Sequence, residues 1–292
     1  MYDGKRCDLK ILSLLKNTKV WVLTAAVLLI IFIIFSGMDS RLKIVKYDIK
    51  SEKIHSPVHL AVVSDLHSCY YGDGQNELVD MIIQQNPDIL LYAGDILDDK
   101  MPDDNAVILL KALQDKYPSY YVTGNHEYWS REPENKIRIM RDYGVKVLQG
   151  EWDNISINGQ TINICGIDDP DVDRYTTPQV PFDEQLKSLK NAADNGGYTI
   201  LLSHRPELIN EYARYPFDLI LSGHAHGGQW RVPGIINGIF SPNQGFFPRY
   251  AGGRYNKNGM TMIVSRGLAK ESTKMPRIYN RPELAIVDLA AE

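Results

Sequence analysis

The sequence has 292 residues, 44% hydrophobic and 23% charged, with a formal net charge of −4. These averages describe an ordinary globular protein and exclude a disordered, collagen-like or polytopic membrane chain. The charge is uneven: the first 41 residues carry six Lys/Arg and three Asp/Glu, which leaves 26 basic against 33 acidic residues for the rest.

The first predicted element is a helix. Residues 20–38 form a 19-residue run without any charge. At about 1.5 Å per residue it spans roughly 28 Å, close to the ~30 Å hydrocarbon core of a bilayer. Its centre, 27–35, is apolar on every side, as a lipid-facing helix requires. The expected organisation is a short cytoplasmic N-terminus (1–19), a transmembrane anchor (20–38), a juxtamembrane spacer (39–56) and one large domain (57–292). A cleaved signal peptide is the rival reading, although Ser36-Gly37-Met38-Asp39-Ser40 makes a poor cleavage site. A buried helix of a soluble protein is the third. Lys5, Arg6, Lys10, Lys16 and Lys19 precede the run, and Arg41, Lys43, Lys46 and Lys50 follow it. Positive-inside counting then favours a cytoplasmic N-terminus and an extracytoplasmic domain. Cys7, Cys69 and Cys165 read as free thiols. Cys69 and Cys165 are the one pair on the same side of the membrane, and nothing in the sequence supports joining them.

Beyond the anchor, short apolar runs each end in Ser, Gly or Asp. Residues 58–63, 89–93, 120–123, 199–202 and 219–221 read as buried strands. Helical patterns cover 76–85, 104–116, 135–143 and 183–193, the third ending at Gly144. Residues 152–159, 161–166 and 261–265 alternate like hairpin strands. Strands alternating with helices imply a layered α/β domain, and the hairpin segments favour mixed or stacked sheets.

The chemistry is positional. Each of the five buried strands runs into a metal-ligand type: Asp65 with His67, Asp95, Asn125 with His126, His204, and His224 with His226. The carboxyl ends of strands in an open α/β sheet line one crevice, where ligands bind. Five of the seven histidines fall in these turns, and only His55 and His59 do not. Singly, Asp-x-His or Gly-Asp reads as an ordinary turn. His224-Ala225-His226 has period-two spacing, which puts both rings on one side of an extended segment. Together the five elements describe a metal site.

In this order, Asp65-Leu66-His67, Gly94-Asp95, Gly124-Asn125-His126-Glu127, Ser203-His204 and Gly223-His224-Ala225-His226 resemble the calcineurin-like metallophosphoesterases, over roughly 57–289. The continuation His226-Gly227-Gly228-Gln229 and the later Arg281-Pro282-Glu283 resemble the membrane-anchored or exported bacterial branch typified by YkuE and YaeI. The resemblance implies an α/β four-layer α/β/β/α sandwich with mixed sheets. It implies that Asp65, His67 and His226 hold one divalent ion, that Asn125, His204 and His224 hold the other, and that Asp95 bridges them. His126 would be the catalytic acid beside Asp95 rather than a ligand. Mixed imidazole and oxygen ligation suits Mn, Fe, Zn or Co, manganese foremost, and no closed structural zinc site is expected. Two such ions lower the pKa of a bridging water for attack on a phosphomonoester, phosphodiester or pyrophosphate. Cys69, two residues past His67, reads as a loop residue rather than a thiolate ligand.

Residues 69–72, 128–131 and 229–250 supply Tyr, Trp, Phe and Arg for a substrate rim, with Tyr128 and Trp129 nearest to His126. With the anchor, they suggest a lipid-linked or cell-envelope phosphoester, and related enzymes cleave UDP-diacylglucosamine. Membrane lipid, through the N-terminal helix, is the expected partner. A soluble-nucleotide or nucleic-acid phosphodiesterase and a Ser/Thr protein phosphatase are the alternatives. The acidic balance after the anchor argues against nucleic acid. The complete ligand set argues against a non-catalytic scaffold.

Overall fold

The structure, a computed structural model, describes residues 4–177, 180–270 and 275–292, and for 4–16 the backbone only. The side chains of Cys7, Lys5, Arg6, Lys10 and Lys16 lie outside the described residues. Helix α1 (Gly4–Gly37) contains one segment, Asn17–Gly37, long and apolar enough to cross a membrane. Its described side chains are exposed along its length, which overturns the buried-helix reading.

The chain then folds as β1 (Lys43–Ser51), β2 (Val58–Val63), α2 (Asn76–Gln85), β3 (Ile89–Ala93), α3 (Asp104–Leu113) and β4 (Ser119–Val122). Next come α4 (Asn125–Trp129), α5 (Pro133–Asp142), β5 (Lys146–Val147), β6 (Glu151–Ile157) and β7 (Gln160–Gly166). The rest is α6 (Val172–Tyr175), α7 (Phe182–Ser188), β8 (Tyr198–Leu202), α8 (Ile209–Tyr212), β9 (Leu219–Ser222), β10 (Phe240–Ser241), β11 (Gly245–Phe246), β12 (Gly253–Lys257), β13 (Met260–Val264) and β14 (Glu283–Ala291).

Two six-stranded sheets form, in the orders β1-β14-β2-β3-β4-β5 and β12-β13-β9-β8-β7-β6. Val62, Leu91 and Val122 from one sheet meet Ile164, Ile200 and Leu221 from the other in a single apolar layer. Helices α2, α3 and α5 cover the outer face of the first sheet through Leu78, Ile82, Leu109 and Met140. Phe182, Leu186 and Ile209 from α7 and α8 cover the second. The result is the α/β/β/α sandwich. β2, β3, β4 and β5 run parallel, as do β7, β8, β9 and β13, so both sheets are mixed only toward their edges.

The expected spacer over 39–56 is largely a strand. β1 pairs in parallel with β14 over nine residues, Lys43 against Glu283 through Ser51 against Ala291. The sequence hid it because an edge strand with Lys43, Lys46 and Lys50 reads as a solvated linker, and its partner lies more than 230 positions away.

Candidate dinuclear metal centre

The site is built where β2, β3 and β4 of one sheet and β8 and β9 of the other end together. Each strand stops at an abrupt turn. Asp65, His67, Asp95, His224 and His226 all adopt left-handed backbone, with φ of 50°, 49°, 53°, 65° and 46°. Such conformations cost on the order of 1–3 kcal/mol each and persist only where surrounding structure enforces them. Two glycines allow the turns to crowd together. A Cβ on Gly94 would stand 2.5 Å from His204 Nδ1, and one on Gly124 would strike the Asp95 carboxylate.

All seven expected ligands are buried. Asp65, His67, Asp95 and His226 each place a ligand atom within 4.8 Å of the others, and Asp95, His204 and His224 do the same. Asp95 belongs to both groups. His204 Nε2 lies 3.1 Å from Asp95 Oδ2, His67 Nε2 lies 3.6 Å from the same oxygen, and His226 Nε2 lies 3.5 Å from Asp65 Oδ1. Yet His67 Nε2, Asp95 Oδ2, Asn125 Oδ1 and His204 Nε2 are buried without a properly directed hydrogen bond, as is His226 Nδ1. Orphaned buried polar atoms are rare in folded proteins. A concave set of nitrogen and oxygen lone pairs around shared carboxylates fits divalent cations, so the residues present suit the metals the sequence implies.

Outer partners fix the ring nitrogens. His67 Nδ1 meets Asp98 Oδ2 at 2.8 Å, His204 Nδ1 meets the Ala93 carbonyl at 2.8 Å, and His224 Nε2 meets Asn243 Oδ1 at 2.9 Å. Each contact leaves the other nitrogen of its ring for a cation. Arg205 donates to the same Asn243 oxygen at 2.6 Å and is itself paired with Asp169. Asp65 Oδ1 accepts the His224 N–H, and Asp95 Oδ1 accepts the His126 N–H, both at 2.8 Å.

His126 sits at the edge of the cluster, its ring 4.3 Å from that of His67 and perpendicular to it. Its Nδ1 lies 2.7 Å from Asp99 Oδ1 and 3.3 Å from Asp98 Oδ2. Burial alone would lower its pKa, but Asp95, Asp98 and Asp99 outweigh burial and raise it to about 9. Burial likewise opposes protonation of His204, and Asp95, Asp65 and Asp169 raise that group to about 10. His224 and His226 are held well below the ordinary range, by burial first and then by Arg205 and His67 respectively.

The Asp98, Asp99, Arg205 and Asn243 contacts go beyond what sequence reasoning supplied. Asp98 and Asp99 follow Gly94-Asp95 closely enough to have drawn notice. Asn243 carries no local signal. Two rim expectations fail. Tyr71 is fully buried with its hydroxyl donating to the Leu268 carbonyl at 2.5 Å, and Tyr128 is buried with its hydroxyl against Thr123. Trp129 is exposed as expected, its ring 4.7 Å from that of His126 and its Nε1 donating to Asp171 at 2.6 Å. Cys69 and Cys165 are thiols in separate apolar layers, and Cys69 accepts the Lys270 N–H rather than joining the cluster. His59 pairs with Asp288, away from the site.

A sequence model of the calcineurin-like phosphoesterase family matches residues 58–228, from β2 to just past His226. The chain belongs to the calcineurin-like phosphoesterase family. It is therefore a phosphoester hydrolase, and the family together with two ligand groups sharing Asp95 gives a dinuclear metal site. An uncharacterized metallophosphoesterase of Aquifex aeolicus is 32% identical over 85% of this chain and 92% of its own. YkuE of Bacillus subtilis, also an uncharacterized metallophosphoesterase, is 29% identical over 71% of this chain and 70% of its own. A transmembrane protein with a metallophosphoesterase domain from Danio rerio is 27% identical over 85% of this chain and 57% of its own. Among solved structures, the NAD nucleotidase of Haemophilus influenzae shares the fold, with a TM-score of 0.55 and 16% identity over 74% of this chain and 46% of that one.

Proposed function

We propose that this chain is a membrane-anchored phosphoesterase in which Asp65, His67, His226 and Asp95 hold one divalent ion and Asp95, Asn125, His204 and His224 hold the second. The observation that carries the reading is the pair of ligand groups that share Asp95, with His67 Nε2, Asp95 Oδ2 and His204 Nε2 buried and unpartnered among them. Manganese is the ion to test first among Mn, Fe, Zn and Co, all of which accept mixed nitrogen and oxygen donors. When bound, such a pair of ions holds a phosphoryl group, neutralises its charge and lowers the pKa of water for in-line attack.

The chain's own residues supply the rest. Asp98 orients His67 through Nδ1 and, with Asp99, holds the His126 ring. Asp95, Asp98 and Asp99 favour the protonated form of His126 against burial, and with Nδ1 held by Asp99 its Nε2 is left for the substrate, where it gives its proton to the leaving oxygen. Trp129 forms one wall beside that proton. The substrate class is a lipid-linked or cell-envelope phosphoester, of the UDP-diacylglucosamine kind. The apolar helix ending at the domain and the exposed aromatic loop beyond His226 support this choice. Asn17–Gly37 remains as an uncleaved anchor, with the N-terminus cytoplasmic and the domain outside.

The test is metal analysis with hydrolysis of bis-p-nitrophenyl phosphate under added Mn²⁺, followed by a panel of lipid pyrophosphates, soluble nucleotides and teichoic-type polymers. Two ions per chain, Mn²⁺-dependent turnover and preference for the lipid substrates are expected. Turnover of soluble nucleotides alone would sink the lipid assignment, and full activity in Asp95→Ala would sink the metal assignment. Protease digestion of intact spheroplasts reads the topology: survival of the domain would place it inside.

A further inference from the structure

The segment that ends α1 on the domain is also the segment that backs the His226 loop. The Tyr279 hydroxyl donates to the Ile33 carbonyl at 2.7 Å and lies 2.7 Å from Ser36 Oγ, while the Tyr279 N–H donates to the Gly37 carbonyl at 2.7 Å. A Cβ on Gly37 would meet the Tyr279 ring at 2.7 Å. Tyr279 therefore lies beside the last turn of the apolar span, not beyond it. Ile33 is four residues, about 6 Å, inside the end of the span. With the span in a bilayer, Tyr279 is at the depth where Tyr and Trp collect.

The neighbouring chain follows it there. Ile278 bridges to Trp230, the Arg231 N–H donates to the Ile278 carbonyl at 3.0 Å, and Trp230 Nε1 donates to the Pro276 carbonyl at 2.9 Å. Asn280 donates to the His226 and Gln229 carbonyls, so the same segment is fastened to a metal-ligand turn. From Trp230 onward the loop displays large apolar side chains to solvent. Ile235 is 82% exposed, Phe246 73% and Phe247 66%, against 68% for Phe32 within the anchor itself. Backbone bonds join the segments that carry them: Val232 N–H donates to the Ile236 carbonyl, Ile239 N–H to the Trp230 carbonyl and Phe247 N–H to the Ile239 carbonyl, and the Phe240 and Phe246 rings stand 5.5 Å apart. Exposed apolar patches of this kind mark contact surfaces. Their charge setting is equally distinct. Although the chain is acidic after the anchor, residues 219–270 contain no Asp or Glu, and Arg231 and Arg249 flank the exposed apolar side chains in sequence, whereas Arg266 is buried against Glu283.

We propose that the 229–247 loop is a second bilayer contact, which dips its Ile235, Phe246 and Phe247 side chains into an anionic interface beside α1. Apolar insertion with flanking basic residues is the chemistry of interfacial membrane binding. The inference rests on the anchoring proposed above, not on the choice of substrate.

The experiment uses the full chain with Cys7→Ser, reconstituted into vesicles of phosphatidylglycerol and phosphatidylethanolamine. Spin labels are placed singly at Ile235→Cys, Phe246→Cys, Leu28→Cys in the anchor and Lys190→Cys on the exposed α7 side. Collisions with oxygen severalfold above those with a water-soluble nickel complex are expected at 28, 235 and 246, and the reverse at 190. Water-like collisions at 235 and 246 with a lipid-like result at 28 would overturn the proposal and leave the anchor intact. A water-like result at 28 as well would overturn both. Labels at 235 and 246 shielded from both quenchers and broadened by spin–spin coupling would assign the patch to a second copy of the chain and overturn it too. Hydrolysis of the soluble diester by the same samples reports the phosphoesterase reading separately.

Discussion

The Glu127 carboxylate accepts the backbone N–H of Asp95 at 3.0 Å, and it also takes those of Ile96 and Leu97 from the same turn and Gly124 from its own. One buried side chain therefore ties the turn carrying Asp95 to the turn carrying Asn125 and His126. In Glu127→Gln, an amide NH₂ faces inward-pointing N–H donors and leaves some unpaired. At about 1–3 kcal/mol for buried unsatisfied groups, and a few degrees per kcal/mol for a domain of this size, Tm should fall by about 3–10 °C and metal occupancy with it. Calorimetry and metal analysis decide the matter; an unchanged Tm would refute the tie.

Asp98 and Asp95 should separate in their effects on metal. Asp98→Asn keeps the ligands but loosens His67, and losses of this kind typically weaken affinity about 10- to 100-fold. Asp95→Ala removes a donor from both ion sites and should empty both at ordinary metal concentrations. Titration of the metal-free variants with Mn²⁺ distinguishes them, and equal affinities would contradict the bridging role of Asp95.

His126→Ala should retain both ions and lose about 10²–10⁴ in turnover, the usual range for a positioned proton donor. Asp99→Asn should act on the same proton more gently. Removing a negative neighbour lowers the His126 pKa, so the alkaline limb of the rate profile moves to lower pH. A limb that stays in place would show that some other group sets it.

Metal uptake should release protons. Against the pull of burial, His204 is held protonated to about 10 in the metal-free chain by Asp95 and Asp65, yet a ligand imidazole must be neutral. Apparent affinity therefore rises with pH below about 10, and calorimetric titrations in buffers of different ionisation enthalpy should count the protons. The sign for stability follows. A folded pKa raised above the unfolded 6.5 stabilises fully below that value and is lost as pH climbs toward about 10, so the metal-free protein should lose Tm over that window. A metal-free Tm that rises across it would be the contrary result.

Trp129→Ala removes an exposed ring that leans at 44° against His126 and donates to Asp171. If it is a wall for substrate, KM for the physiological ester should rise about tenfold, the equivalent of ~1.4 kcal/mol, with a smaller change for p-nitrophenyl esters. Equal losses on both substrates would make its role that of a prop for His126 alone.

The strand-end Asp and His cluster was legible because the sheet's geometry repeats one local event, an apolar run followed by a tight polar turn, as at 58–67 and 89–95. Helix α2 and strands β2 and β3 likewise follow the residues that periodicity marked. What escaped depends on distance in the sequence. Asn243 reaches His224 from a loop with no regular pattern, and β1 is a strand only because β14 lies beside it. Tyr71 and Tyr128 stand next to site motifs but turn inward, since a tyrosine fills an apolar layer as readily as it lines a cleft.

The place of β14 between β1 and β2 sets an order of events for the growing chain. Both neighbours precede it in the chain, so the sheet is incomplete between them until residues 283–291 have been synthesised. The turn bearing Asp65 and His67 leaves directly from β2, and its final surroundings wait for the same insertion. Pairing across so long a stretch of sequence is slow. Assembly of the pocket is thereby deferred until β14 has been made, well after α1.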